Sequence, residues 1–267
     1  MIIEAEMRRV AGQAGLGVGQ AEHEYALLCA LDALSQTALL SDTFCLKGGT
    51  ALRQLHFPNW RHSVDLDFSV LPRFPAERLR AGLTDWFGQT DRLHGLQMSL
   101  DSLHQADGAA RVRARFVGPL RHANRLLLDI TLDEPVILPP ERRPVVTALF
   151  LDPCPLVLCY ALEEILAEKL RSILQRGKAR DYYDVWRLLE EKADSFDRQI
   201  ARRVLSEKCK HKGLPAPSVE GFLQPALLEP ASAYWSQELI GQVPGEDLPS
   251  WETVAADLGK SLSDFFS

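Results

Sequence analysis

The chain has 267 residues, 46% of them hydrophobic and 25% charged, and a formal net charge of −6. This is the balance of a globular protein with a full core. It excludes a broadly basic nucleic-acid footprint, so any RNA contact must come from local patches. No segment is long and apolar enough to span a bilayer, and Met1 to Arg9 lacks the apolar core of a signal peptide, so a cytoplasmic protein is expected.

In chain order, residues 20–40 read as a leading helix, Thr43 to Leu46 as a short buried strand, Thr50 to Phe57 as a short helix and Val64 to Leu71 as a second strand. The pair Gly48-Gly49, after Lys47, therefore falls at a strand-to-helix junction. There, free backbone N–H groups and Thr50 as a cap offer a seat for phosphate oxygens. Asp65 and Asp67, two residues apart on a strand, point the same way. Two carboxylates that close repel each other, and a divalent cation bridging them to a nucleotide relieves the repulsion. A lone Gly-Gly is a turn and a lone Asp-x-Asp a solvated strand face; their order and proximity give the pair its meaning. No Gly-Lys-Ser/Thr follows the glycines, so this is not a Walker A loop.

Arg111, Arg113 and Arg115 alternate, which on a strand places them on one face, with Arg121, His122 and Arg125 following. They could meet RNA phosphates or a triphosphate, or serve solubility alone. Leu126 to Leu132 reads as an apolar strand with Asp129 in its middle, a charge that needs either a metal or a cationic partner. Pro135, Pro139, Pro140, Pro144, Pro153 and Pro155 suggest a linker-like stretch between an αβ core over residues 1–155 and a helical region over 156–267. In that region Ala161 to Gln175 and Arg180 to Leu189 carry helical periodicity. Lys169, near a triphosphate, would offset charge, or would assist deprotonation of an attacking hydroxyl if its pKa were lowered. Asp181 could position that lysine, or simply complement a helix dipole. Cys29, Cys45, Cys154, Cys159 and Cys209 have no zinc spacing and read as reduced thiols.

Four segments, Lys47-Gly48-Gly49-Thr50-Ala51-Leu52, Arg61-His62-Ser63-Val64-Asp65-Leu66-Asp67-Phe68, Ala167-Glu168-Lys169-Leu170 and Arg180-Asp181-Tyr182-Tyr183-Asp184, together resemble the AbiEii family of bacterial nucleotidyltransferase toxins, which includes the MenT toxins. The resemblance covers roughly residues 40–190. It implies an α+β fold: a polymerase-beta-like nucleotidyltransferase mixed sheet with flanking helices, followed by a helical C-terminal region. It further implies a Mg²⁺-dependent toxin of a toxin–antitoxin system that transfers nucleotides from an NTP to RNA, the tRNA 3′ end being expected, and that meets a cognate antitoxin. By motif, Lys47, Gly48, Gly49, Thr50 and Ser63 would contact the nucleotide, Asp65 and Asp67 the metal, and Lys169 and Asp181 would complete catalysis; Asp129 lies outside these motifs and is either a third metal carboxylate, of the kind many nucleotidyltransferases of this fold use, or the partner of an arginine. A transferase acting on a protein or small molecule, and a non-catalytic nucleotide- or partner-binding member, are the alternatives.

Overall fold

Residues 2–147, 154–243 and 248–267 are described in the computed structural model. Contacts divide the chain into two units: Met1–Pro58, Ser63–Val136 and Pro140–Tyr160 form the first, and Asn59–His62, Ile137–Pro139 and Ala161–Ser267 form the second.

The first unit is built on a seven-stranded mixed sheet in the order β3-β4-β5-β2-β1-β7-β6. Its strands are β1 (Phe44–Lys47), β2 (Asp65–Val70), β3 (Gln97–Ala106), β4 (Ala109–Val117), β5 (Ala123–Thr131), β6 (Glu141–Pro144) and β7 (Leu156–Cys159). Strand β2 runs antiparallel to β1 and parallel to β5, while β3, β4 and β5 form an antiparallel meander. The two-residue period of a strand sorts the side chains by face. Leu66 and Phe68 on β2, Val112 and Phe116 on β4, and Leu126, Leu128 and Ile130 on β5 are buried, and their alternate neighbours face outward.

Helices α1 (Glu4–Ala14), α2 (Val18–Ser35), the short α3 (Leu40–Thr43) and α5 (Leu79–His94) also belong to this unit. Helix α2 is apolar nearly all round and is buried accordingly. Trp86 of α5 makes edge contacts with Phe44 and Phe68, and its indole N–H donates to the Ala30 carbonyl of α2 at 2.7 Å. That hydrogen bond lets the core take a Trp without stranding its N–H.

Two expectations change here. The Thr50–Phe57 helix is instead a four-residue helix, α4 (Gly48–Ala51), followed by a π-helical turn over Leu52–His56. The proline-rich stretch read as a linker contributes β6 and β7 to the sheet. Pro144 is compatible with this because β6 is an edge strand, where a missing N–H breaks no inner ladder; Pro153 lies outside the described residues.

The second unit holds α6 (Leu162–Arg176), α7 (Ala179–Glu191), α8 (Arg198–His211), α9 (Val219–Phe222), α10 (Pro225–Leu239) and α11 (Trp251–Phe266). Gly177, in the left-handed region, ends α6 and lets α7 begin two residues later. Trp235 is buried against Trp251 and Tyr183, whereas Tyr234 faces solvent. Cys29, Cys45, Cys159 and Cys209 are buried thiols, and Cys154 is half-buried. No helix among the described residues is long and apolar enough to cross a membrane.

Candidate active site

Gly48 stands at φ +73, a left-handed conformation that favours glycine. A Cβ placed there would lie 2.4 Å from Oδ2 of Asp67, so the carboxylate occupies the space a side chain would take. The β1–β2 pairing causes this approach: Lys47 lies opposite Asp67, and the chain turns into α4 at the next residue. Thr50 is not the cap expected of it. Lys47 holds the N-cap position without a side-chain cap, while the buried Thr50 hydroxyl donates to the Asp65 carbonyl at 2.5 Å. That bond fastens the glycine turn to the acid-bearing strand. Arg53, in the π turn, donates through Nε and Nη2 to Glu24 of α2 at 3.1 and 3.0 Å, a buried pair that holds the same segment from behind.

Lys47 is itself buried, its Nζ 3.3 Å from the Thr131 hydroxyl and 3.9 Å from Glu134, with the Tyr160 ring at 5.7 Å. Ser63, Asp65 and Asp67 are half-buried. Register then assembles a row across the sheet. Asp67 lies opposite Lys47 on β1 and Asp129 on β5, Asp129 lies opposite Arg111 on β4, and Arg111 lies opposite His104 on β3. Residues paired across a sheet share a face, so the three aspartates project on one side. A second row, two residues along, carries Asp65, Leu127, Arg113 and Ser102. Asp129 was expected to be a charge set in an apolar strand; the pleat instead turns it outward, 62% exposed, with Arg111 Nε at 3.6 Å. An open hollow of about 450 Å³ lies on this face, bounded by Asp65, Ser102, His104, Arg111, Arg113 and Asp129 and floored by the exposed Leu127.

Among the described residues no group of three or more His, Cys, Asp or Glu side chains forms a metal cluster. The donor set on β2 suits Mg²⁺ all the same, because that ion usually takes one or two carboxylates and completes its shell with water and phosphate oxygens. The glycine-made contact at Asp67 keeps one carboxylate oxygen against backbone, where a bound triphosphate could approach without a side chain in its way.

Lys169 and Asp181 belong to the second unit, in a buried charge network that motif spacing shows only in part. Lys169 Nζ lies 3.0 Å from Asp181 Oδ1 and 2.8 Å from Asp184 Oδ2. Each aspartate has its own arginine. Arg61 grips Asp184 through Nε and Nη2 at 2.8 and 2.7 Å, and Arg176 Nε reaches Asp181 Oδ2 at 3.0 Å. The Trp60 indole donates to Asp184 at 2.9 Å. Burial alone would lower the Lys169 pKa, but Asp184 and Asp181 more than offset it and hold the ammonium above its ordinary value. The lowered pKa on which a base role for Lys169 depends is therefore not what these carboxylate partners give it. Burial pushes the carboxyls of Asp181 and Asp184 upward, yet their cationic partners prevail and both lie below the ordinary aspartate value. Glu168 of the same motif lies 3.5 Å from the fully buried Lys208, whose closer partner is Glu164 at 2.9 Å. Sequence reasoning missed the Arg61–Asp184 pair and, apart from it, the pairing of Lys208 with Glu164 and Glu168, because in each case the cation sits on a different element from its carboxylates.

A family model described as the nucleotidyl transferase AbiEii toxin of type IV toxin–antitoxin systems matches residues 30–257, well beyond the span of the motifs. That match makes the chain a nucleotidyltransferase. The chain belongs to the AbiEii toxin family, whose members use a nucleotide substrate and are paired with an antitoxin. Among solved structures, MenT4, a nucleotidyltransferase toxin from Mycobacterium tuberculosis H37Rv, shares the fold with a TM-score of 0.69 and 21% identity, over 100% of this chain and 90% of that one. No curated protein sequence matches.

Gly48→Ala should cost roughly 1–3 kcal/mol, the range for a non-glycine residue forced into left-handed backbone, and should displace Asp67; urea unfolding measures it. Arg61→Ala strips one partner from a buried pair and should cost about 3–5 kcal/mol. Because the Asp181 and Asp184 pKa values are depressed, their stabilisation is complete above the unfolded value of about 3.9 and is lost as pH falls through the folded values. Asp184→Asn should therefore flatten the fall in unfolding free energy between about pH 5 and pH 3. The raised Lys169 pKa works in the opposite sense, with stabilisation complete below the unfolded value of about 10.4 and lost only as pH rises through the folded one.

Proposed function

We propose that this toxin transfers a nucleotidyl group from a Mg²⁺-bound NTP to the 3′ hydroxyl of an RNA in the cytoplasm, with the acceptor end of tRNA as the expected target. The observation that carries the reading is the outward row on the sheet: Asp65 and Asp67 on one face of β2, Asp129 beside Asp67, and the glycine turn closed onto the Asp67 carboxylate. When bound, Mg²⁺ supplies charge neutralisation for the triphosphate and polarises the phosphorus under attack. Asp65 and Asp67 are assigned to hold it, with Asp129 as the third carboxylate.

The remaining roles follow from what each side chain can still do. Gly48 and Gly49 give the phosphates close access to backbone N–H groups. Lys47 braces the row through Thr131 and Glu134, and the Thr50 hydroxyl fixes β2 against the turn. Ser63, half-buried just ahead of β2, is assigned to the nucleotide. Lys169 is assigned as a permanent positive charge for the triphosphate; Asp181, almost wholly buried beneath Lys169 and Arg176, acts through the lysine as a positioning residue. The attacking hydroxyl oxygen bonds to the α-phosphorus and gives up its proton to solvent, the bond from the α-phosphorus to the oxygen bridging to the β-phosphorus breaks, and pyrophosphate leaves. Four arginines on the same face as the acids support a polyanionic acceptor over a neutral one.

Incubating the protein with Mg²⁺ and labelled NTPs against separate RNA and protein extracts should label RNA. Label in protein alone would replace the acceptor assignment, and no transfer at all would remove the catalytic one. Asp65→Ala and Asp67→Ala should each lower the rate at least about 10²-fold, the scale for losing one group that stabilises transition-state charge. Lys169→Ala should lower it comparably, and the wild-type rate should show no lysine limb between about pH 6 and pH 9, as expected of a lysine whose pKa is not lowered.

A further inference from the structure

The meander β3–β4–β5 turns one face to solvent, and that face is basic although the chain as a whole is acidic. Arg111, Arg113 and Arg115 stand at alternate positions of β4, about 7 Å apart along the strand. Arg125 lies opposite Arg115 on β5. Among the described residues neither Arg113 nor Arg115 has a carboxylate partner, so they are not members of a surface ion-pair ladder. Arg111 and Arg125 have only loose partners, Asp129 at 3.6 Å and Asp101 at 3.3 Å. The β-bulge between Leu100 and Ser102 falls where β3 contributes Asp101.

Two hollows lie in line along β4. The first, of about 450 Å³, contains Asp65 and Asp129 together with Arg111 and Arg113. The second, of about 240 Å³, is lined by Arg115, Ala123, Asn124 and Arg125 and contains no acidic side chain. Moving along β4 from Arg111 to Arg115 thus leads away from Asp65 and Asp129 to a hollow lined by two arginines and an amide, with Asp101 beside Arg125 as the acid nearest to them. Exposed Leu127 and His104 flank the arginines and offer surfaces on which a base or ribose can rest.

Resting on the transferase reading above, we infer that this face is the acceptor track: single-stranded RNA lies along β4, its phosphodiesters on Arg113, Arg115 and Arg125, and its 3′-terminal nucleotide in the hollow beside Asp65 and Asp129. An open sheet face with charges in a line fits a single strand whose bases are splayed, since single-stranded ends are what sheet surfaces of this kind read. A triphosphate held at Asp65 and Asp129 does not account for the second hollow, whose lining contains neither of them.

The test is fluorescence anisotropy of the full chain with a 3′-labelled single-stranded RNA oligonucleotide, without NTP or divalent ion, across a salt series. The double variant R115Q/R125Q should bind at least tenfold more weakly. Its slope of log affinity against log salt should be shallower by about 1.4, as for two lost single-strand phosphate contacts. In transfer assays the KM for RNA should rise while the KM for NTP stays within twofold. Unchanged affinity and salt slope in the variant overturn the track even if RNA is still labelled, and so does a rise confined to the NTP KM. Arginine-dependent RNA binding by a wild-type protein that transfers no nucleotide would keep the track and overturn the transferase reading instead.

Discussion

The arrangement at this site depends on one constraint, the register of β2 between β1 and β5. Pairing Asp67 with Lys47 on one side and Asp129 on the other fixes which face the acids of the sheet occupy. A slip of one residue would bury both acids of β2 and expose Leu66 and Phe68. The aromatic cluster of Phe44, Phe68 and Trp86 opposes such a slip, so the apolar face of the sheet protects the chemistry of the polar one. Glycine at position 48 then permits the closeness of Asp67 that any larger residue would deny.

The second unit uses charge differently. Lys169, Asp181, Asp184, Arg61 and Arg176 alternate in sign through a network that is buried except at Arg176, and each aspartate touches two cations, Asp181 both from α6 and Asp184 one from α6 and one from the segment ahead of β2. Such networks stabilise little in total, because desolvation offsets much of the attraction, but they are costly to break and hold their members in one geometry. The consequence for Lys169 is a pKa held above its ordinary value by Asp184 and Asp181. A lysine meant to act as a base would be desolvated without two carboxylates at hydrogen-bond distance.

Much of this was legible in the residues, and for physical reasons. The outward acids of β2 and the alternating arginines of β4 follow from strand period alone. The glycine pair announced a junction, and the motifs named the family that the model match over residues 30–257 establishes. The cross-strand row did not follow, because pairing between β2, β5 and β4 is a tertiary choice. Asp129 was misjudged because its apolar neighbours suggested burial, when alternation in fact sends Leu126 and Leu128 one way and Asp129 the other. Thr50 was misread as a cap because nothing local tells a hydroxyl which carbonyl it will find. Strand β6 was hidden by Pro144, which an edge position tolerates, and the four-residue β7 by Pro155 directly ahead of it.

The central claim is that the β2 acids and the glycine turn together hold a metal-bound triphosphate. Titration calorimetry with a non-hydrolysable NTP analogue and Mg²⁺ tests it most directly, comparing the wild type with Asp65→Asn and Asp67→Asn, which keep the side-chain shape. The account predicts saturable, Mg²⁺-dependent binding that weakens at least tenfold in each variant while the unfolding transition is retained. Equal affinity in all three proteins would contradict it.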